Sequence, residues 1–413
     1  MLLNLSLLKK NKNFRFLFLG QALSFFGTMV SQVAFPYQIY LQTHSNFMVG
    51  LLSLVQLIPL LCTALFGGVF ADRYHRRALL LIAETFLAIS CGLLLWNACL
   101  AVPHIWVLFV VGAVVSALSG LHRPALQGIK QQIIPAEDFV SASALESLVF
   151  SLGMIAGPAV GGFLIARFGL PANYAVDCLT FIVSLWALCQ LRCIAPPAVA
   201  VSESIVQSLK QGLHYAFTRQ ELLGSYLVDM VAMIFGMPFA LFPAIAQLHG
   251  GAQALGLLYT APAVGAMFAA LASDWCRKVK HYGAAIGVAA ILWGVAILLF
   301  GLCHHYFYLA LFFLLLAGGF DAISGVFRST LWNEMIAPEF RGRLTGIEMI
   351  SYLSGPKLGD VEAGLVAAAF GVTASVVSGG ILCVLAVGVC CISLPKFWRY
   401  RSLVASPAKS IVE

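Results

Sequence analysis

Apolar residues in this chain come in long blocks, separated by short polar ones. Twelve such blocks lie at 14–41, 46–70, 78–102, 105–130, 139–166, 171–193, 221–248, 253–273, 281–303, 306–333, 343–370 and 372–394. A spanning helix needs about 20 largely apolar residues, because each adds about 1.5 Å of rise against a hydrocarbon core of about 30 Å. The pattern therefore predicts an all-α membrane protein of about twelve transmembrane helices. Composition agrees: 61% of the 413 residues are hydrophobic and 10% are charged, against roughly 25% charged in a soluble domain.

Charge gives the orientation. Twenty of the 24 Lys and Arg residues fall in the N-terminal segment, the turn at Arg73 to Arg77, Lys130, the central linker, Arg277 to Lys280, Arg341 with Arg343, and the C-terminal tail. All of these lie on one face of a twelve-span chain, and the opposite loops hold only Arg167, so both termini are expected in the cytoplasm. Lys9, Lys10, Lys12 and Arg15 precede a long apolar run with no small-residue cleavage site after it, which predicts a retained first helix.

The two halves repeat weakly. Asp72 recurs as Asp274, Pro135 with Glu137 as Pro338 with Glu339, and Gly161 as Gly364, at offsets of 202, 203 and 203; Phe35-Pro36 recurs as Phe242-Pro243 at 207. Their common order predicts a six-helix half at 1–193, a cytoplasmic linker at 194–220 around Pro196-Pro197, a second six-helix half at 221–395 and a cytoplasmic tail at 396–413.

Cys62, Cys91, Cys178 and Cys383 lie within or beside apolar runs and are read as small buried residues. No cysteine and histidine group has metal-ligand spacing, so neither metal nor cofactor is expected. A nucleotide-driven pump is excluded by the lack of a Gly-x-x-x-x-Gly-Lys-[Ser/Thr] loop. An intramembrane enzyme is disfavoured, since His-Glu-x-x-His and Gly-x-Ser-x-Gly are both missing.

Two motifs carry more specific information. Gly68-Val-Phe-Ala-Asp72-Arg73-Tyr-His75-Arg76-Arg77, at the turn between spans two and three, resembles the loop signature of the major facilitator superfamily, with His75 in place of the usual glycine. That resemblance implies a charge latch at the cytoplasmic gate, built from Asp72, Arg73, Arg76 and Arg77, with Gly68 allowing close helix approach and Asp274 as its counterpart. Gly153, Gly157 and Gly161, spaced by four, form a flat strip on span five, where Pro158 frees a carbonyl and Gly162 follows. This run resembles the fifth-span motif of exporters and antiporters in the superfamily, which implies outward transport; plain glycine packing is the alternative.

Ionisable residues within spans are functional candidates, since each costs roughly 2.5–3.5 kcal/mol to insert. They are Asp177, Asp229, Asp321, Arg328, Glu348, Lys357, Asp360 and Glu362. Glu84, Arg123, Glu146 and Glu334 lie nearer span ends, placed to snorkel or pair. Asp321 and Arg328, seven apart, share a face about 10 Å apart along the axis, too far to touch unless the side chains reach; Lys357 and Asp360 are i, i+3 neighbours beside Gly355-Pro356.

Further stretches, Leu-Asn-Leu-Ser-Leu-Leu-Lys at 3–9, Tyr37-Gln-Ile, Thr43-His44-Ser45, Val49-Gly50-Leu51, Phe242-Pro243-Ala-Ile-Ala, Gly256-Leu-Leu-Tyr259 and Gly359-Asp360, resemble the siderophore exporters of the superfamily. The resemblance implies an inner-membrane secondary exporter of a small molecule, an iron-free siderophore, driven by proton antiport. Its partners would be that substrate, protons and the bilayer, with no nucleic acid, and it would work as a monomer. Proton-coupling or substrate candidates are then Asp229, Asp321, Arg328, Lys357, Asp360 and Arg123, with Tyr37, Tyr226, Phe235 and Tyr259 as stacking surfaces. The rival reading is a multidrug or macrolide-type efflux transporter of the same fold.

Overall fold

With no water in the hydrocarbon to satisfy backbone amides, a span must bond its backbone internally, and these sequences do so as helices. In a computed structural model, residues 6–191, 211, 214–336 and 341–402 are described, with side chains for all of them except Ser6, Phe66, 68–73, Arg277 and 341–350. A short helix α1 (Ser6–Lys10) leads into α2 (Lys12–Thr43), α3 (Asn46–Arg73), α4 (Arg76–Cys99), α5 (Ile105–Ile133), α6 (Phe139–Phe168) and α7 (Leu170–Cys189). After the linker come α8 (Gln220–Phe235), α9 (Phe242–Leu248), α10 (Ala252–Leu271), α11 (Tyr282–Cys303), α12 (Phe307–Met335), α13 (Arg341–Phe370), α14 (Val372–Ser393) and α15 (Pro395–Trp398).

Among the described residues, eleven segments are long and apolar enough to cross a membrane. The twelfth expected span is α13, which has 30 residues but carries Lys357, Asp360 and Glu362 in its middle. The seventh span is continuous in apolarity and broken in backbone. It stops at Phe235, passes through Gly236-Met237-Pro238, and resumes through a 3-10 turn (Phe239–Leu241) into α9. Pro238 has no N–H to continue the ladder and disfavours helix in the residue before it.

The chain divides into two compact units, one comprising Met1–Ser202 and Ala240–Thr260, the other Glu203–Phe239 and Ala261–Glu413. Leu23, Ile58, Phe86, Phe163, Leu292 and Leu385 are examples of the many large side chains turned outward. That is expected where lipid, as apolar as leucine, is the solvent.

Each unit is assembled on glycines. In the first, a Cβ placed on Gly153 would sit 2.5 Å from the Phe25 ring, one on Gly157 2.3 Å from Met29 Cβ, and one on Gly161 2.6 Å from the Val30 carbonyl. The strip thus seats α6 against α2. Gly162 faces elsewhere, 2.8 Å in the same measure from Gly256 of α10. In the second unit Gly355 and Gly359 of α13 meet Met233 of α8 in the same way, at 2.9 and 2.5 Å, so the glycine strip recurs 202 residues on. Gly67 and Gly120 (α3 on α5) recur at an offset of 198 as Gly265 and Gly318 (α10 on α12): Gly67 meets the Gly120 carbonyl, Gly265 meets Leu315 and Gly319, and Gly318 meets Pro262.

The start of the tail is anchored on the second unit. Phe397 is fully buried against Gly224 and Gly283, while Tyr400 and Ser402 donate hydrogen bonds to Glu334 at 2.9 and 2.7 Å. Burial and this carboxylate both raise the Tyr400 phenol above its ordinary pKa. Residues 403–413 lie outside the described part.

Candidate functional site

Three of the candidate residues meet in the second unit. Asp229 lies midway along α8 and Arg328 two-thirds along α12, and the guanidinium Nη1 of Arg328 forms an ion pair with Asp229 Oδ1. Its Nη2 stands 3.8 Å from Asp321 Oδ1. The side-chain reach that their backbone spacing requires is present: the arginine side chain folds back along its own helix and spans the two turns to Asp321. The Arg328 and Asp229 side chains are 12% and 7% exposed, that of Asp321 41%, so a single cation is shared between a buried carboxylate and an accessible one. Asp321 also borders a cavity of about 50 Å³ lined by Gly236, Pro238, Phe239, Trp293 and Gly318, large enough for a few water molecules. The helix break at 236–238 therefore forms one wall of the space beside the cluster.

Lys357 and Asp360, both half-buried on α13, interact electrostatically, as their i, i+3 spacing suggests. Arg123 is exposed on α5.

The turn motif is partly described. The side chains of Gly68, Asp72 and Arg73 lie outside the described residues. Arg76 and Arg77 donate to helix-end carbonyls, Gly128 O at 3.0 Å and Cys189 O at 2.9 Å, where a cation also meets the negative pole of the helix. A Cβ on Gly128 would lie 2.5 Å from the Arg76 side chain, so Gly128 is a partner of the motif that sequence reading missed. His75 has φ −59°, an ordinary value, which explains why the turn accepts it in place of glycine. Asp274 is exposed in the 3-10 turn Ser273–Lys278.

Other expectations change. Glu84, expected to snorkel or pair, is 0% exposed and pairs: it receives a hydrogen bond from Gln21 and faces His122. Asp177 is buried between α2, α4 and α7, and Cys91 Sγ donates to its Oδ2 at 3.2 Å. Tyr226 stacks on Trp332 at 5.0 Å and Tyr259 sets its edge on Phe242 at 5.0 Å, so these aromatics serve packing. Tyr37 is buried and accepts from Gln247 at 2.8 Å. Cys91, Cys276, Cys383 and Cys391 are buried as expected, whereas Cys62, Cys99 and Cys189 are exposed. No group of potential metal ligands occurs among the described residues.

Residues 5–406 match the family described as transmembrane secretion effector, a branch of the major facilitator superfamily. The chain is 30% identical over 365 residues to the enterobactin exporter EntS of Citrobacter koseri, covering 87% of this chain and 86% of that protein. It has the same identity and coverage with the EntS of Shigella boydii serotype 18. Among solved structures, a bacterial homologue of the human lysosomal transporter Spinster superposes with a TM-score of 0.74 at 14% identity, over 96% of this chain and 98% of the other. A D-xylose–proton symporter does so with a TM-score of 0.71 at 16% identity, over 92% and 96%. The helices long enough to cross a membrane thus have a family: the chain belongs to the transmembrane secretion effectors of the major facilitator superfamily, and is a multi-pass transporter of the bacterial inner membrane.

Proposed function

We propose that this protein is a secondary active exporter that moves an iron-free siderophore from cytoplasm to periplasm in exchange for protons. The observation that carries the reading is the 30% identity to enterobactin exporters, sustained over 87% of the chain. The glycine strip at Gly153, Gly157 and Gly161, with Pro158 and Gly162, is in keeping with outward transport. In this reading both termini are cytoplasmic, 1–193 and 221–395 act as six-helix halves joined by 194–220, and a single copy suffices.

The cluster in the second unit supplies a physical means of coupling. While Asp229 is ionised it holds Arg328; once protonated it lets go, and the guanidinium is then available to Asp321 or to an anionic or catechol-bearing cargo. Each proton moved inward supplies about 2.3 kcal/mol per 100 mV. Asp72, with Arg73, Arg76 and Arg77, closes the cytoplasmic side in one state, and Lys357, Asp360 and Arg123 are further candidates for coupling or for the cargo.

The test is deletion in a siderophore-producing host, paired with flux of iron-free enterobactin in proteoliposomes under an imposed pH gradient. Siderophore should fall in the medium and rise in the cell, and flux should follow the gradient. Unchanged extracellular siderophore, in a host with no second exporter, overturns the cargo; gradient-driven flux of cationic apolar drugs in its place would establish the multidrug reading.

A further inference from the structure

We infer that Glu84 and His122 form a proton-binding site inside the first unit, separate from the Asp229, Arg328 and Asp321 cluster of the second. The inference rests on the proton-antiport reading above and adds a second station to it. Glu84 lies on α4, about 12 Å from Arg76 along the axis, and its side chain has no exposed surface. Its Oε1 accepts from Gln21 Nε2 and stands 3.3 Å from His122 Nε2. Gln21 also donates to Ser184 Oγ at 3.3 Å, which fixes the amide toward the carboxylate. Glu84 Oε2 is buried with no hydrogen-bond partner among the described residues.

A buried carboxylate with one oxygen unmatched is costly to keep charged, and the cost falls when the group is neutral or faces a cation. The groups facing Glu84 are few: His122 from α5, and the neutral Gln21 of α2 and Ser184 of α7. The next ionisable groups on the surrounding helices are Arg15 on α2, Cys178 and Cys189 on α7 and Cys91 on α4, each about one and a half to two turns from this layer, with Asp177 just beyond Cys178, Arg76 and Arg77 about two turns from Glu84, Lys130 about two turns from His122, and Arg123 exposed beside His122. No arginine or lysine is ion-paired to Glu84 among the described residues. The imidazole is therefore the side chain placed to exchange a proton with it directly. The His122 side chain is 16% exposed, against none for Glu84, so a proton reaches the carboxylate by way of the imidazole.

Glu84→Gln and His122→Asn test this by two readouts. In proteoliposomes with iron-free enterobactin, Glu84→Gln should lose pH-gradient-driven flux while keeping exchange of labelled for unlabelled enterobactin at equal pH. His122→Asn should slow driven flux and alter its dependence on pH, because the carboxyl loses the partly exposed side chain through which its proton passes. In purified protein, the infrared band of a protonated carboxylic acid that grows on acidification should disappear in Glu84→Gln. Wild-type flux and pH dependence in both variants, or an unchanged infrared band, overturns the inference. A wild type with no gradient-driven flux overturns the antiport reading instead, and the infrared band alone then decides whether this pair binds a proton.

Discussion

The two units are built on the same backbone plan and carry different charges. What repeats is close packing: Gly153 and Gly157 against α2 are matched by Gly355 and Gly359 against α8, and Gly67 and Gly120 by Gly265 and Gly318. A polar tie repeats as well, since Asn173 donates to the Gly161 carbonyl and Ser375 to the Ala363 carbonyl, both 12 residues back and 202 apart. The ionisable groups within the spans do not repeat. At an offset of 202, Glu84 corresponds to Ile286 and Asp177 to Gly379. The first unit keeps its buried acids among neutral donors, Gln21 and Cys91, with only an imidazole for a cation. The second gives its acids an arginine. Duplicated packing with unduplicated charge indicates that the scaffold came from repetition and the chemistry was added to each unit by itself.

The largest effect should come from removing that arginine. Arg328→Met leaves Asp229 buried and uncompensated, a loss of about 3–5 kcal/mol, measurable as unfolding of the purified protein in detergent. Adding Asp229→Asn should recover most of the stability and none of the gradient-driven flux. Glu84→Gln, which strands no arginine or lysine, should cost far less folding; equal losses in Arg328→Met and Glu84→Gln would erase the contrast. Next comes an effect on transport alone. Asp72→Asn keeps shape without charge and should nearly abolish flux with folded protein still in the membrane, whereas Asp274→Asn, exposed in the second unit's turn, should reduce it less.

Much of the fold was legible because burial in lipid writes itself as long apolar blocks, and eleven of the twelve blocks reappear as spans of sufficient apolarity. The break at Gly236-Met237-Pro238 was harder to see, since a proline inside an apolar run also occurs within unbroken helices here, as Pro36, Pro59 and Pro124 do. Asp229 and Arg328 were visible singly as costly residues, but 99 positions separate them and only packing of α8 on α12 makes them a pair. Glu84 was legible as a residue that would snorkel or pair, but not its burial or its partners Gln21 and His122, because distance from a span end says nothing about which face of the helix it occupies. The repeat of the glycine strip was within reach, as Gly355 and Gly359 stand at the offset already found for Asp72 and Asp274.

The shared packing gives a paired prediction of intermediate size. Gly157→Val and Gly359→Val each force a branched side chain into space held by Met29 or by the Met233 carbonyl. Overpacking of this kind costs about 1–3 kcal/mol. Both variants should lower thermal stability by similar amounts, and a loss confined to Gly157→Val would mean that the strip in α13 is a coincidence of sequence.

The smallest effect probes the polar ties. Asn173 sends its amide to two carbonyls, Val30 O at 2.9 Å and Gly161 O at 3.2 Å, and so ties α7 to both α2 and α6. Ser375 makes a single bond of this type, to Ala363 O at 3.0 Å, tying α14 to α13. A hydrogen bond between helices in a membrane is worth about 0.6 kcal/mol on average, because the separated helices also find partners. Asn173→Ala should therefore cost about twice as much as Ser375→Ala, roughly 1.2 against 0.6 kcal/mol before any cavity is counted, and the larger amide leaves the larger cavity. Thermal unfolding of both variants in one detergent measures the difference. If Ser375→Ala proves the more damaging, the two ties are not equivalent, and the second unit depends on its single bond in a way that the repeated backbone plan does not explain.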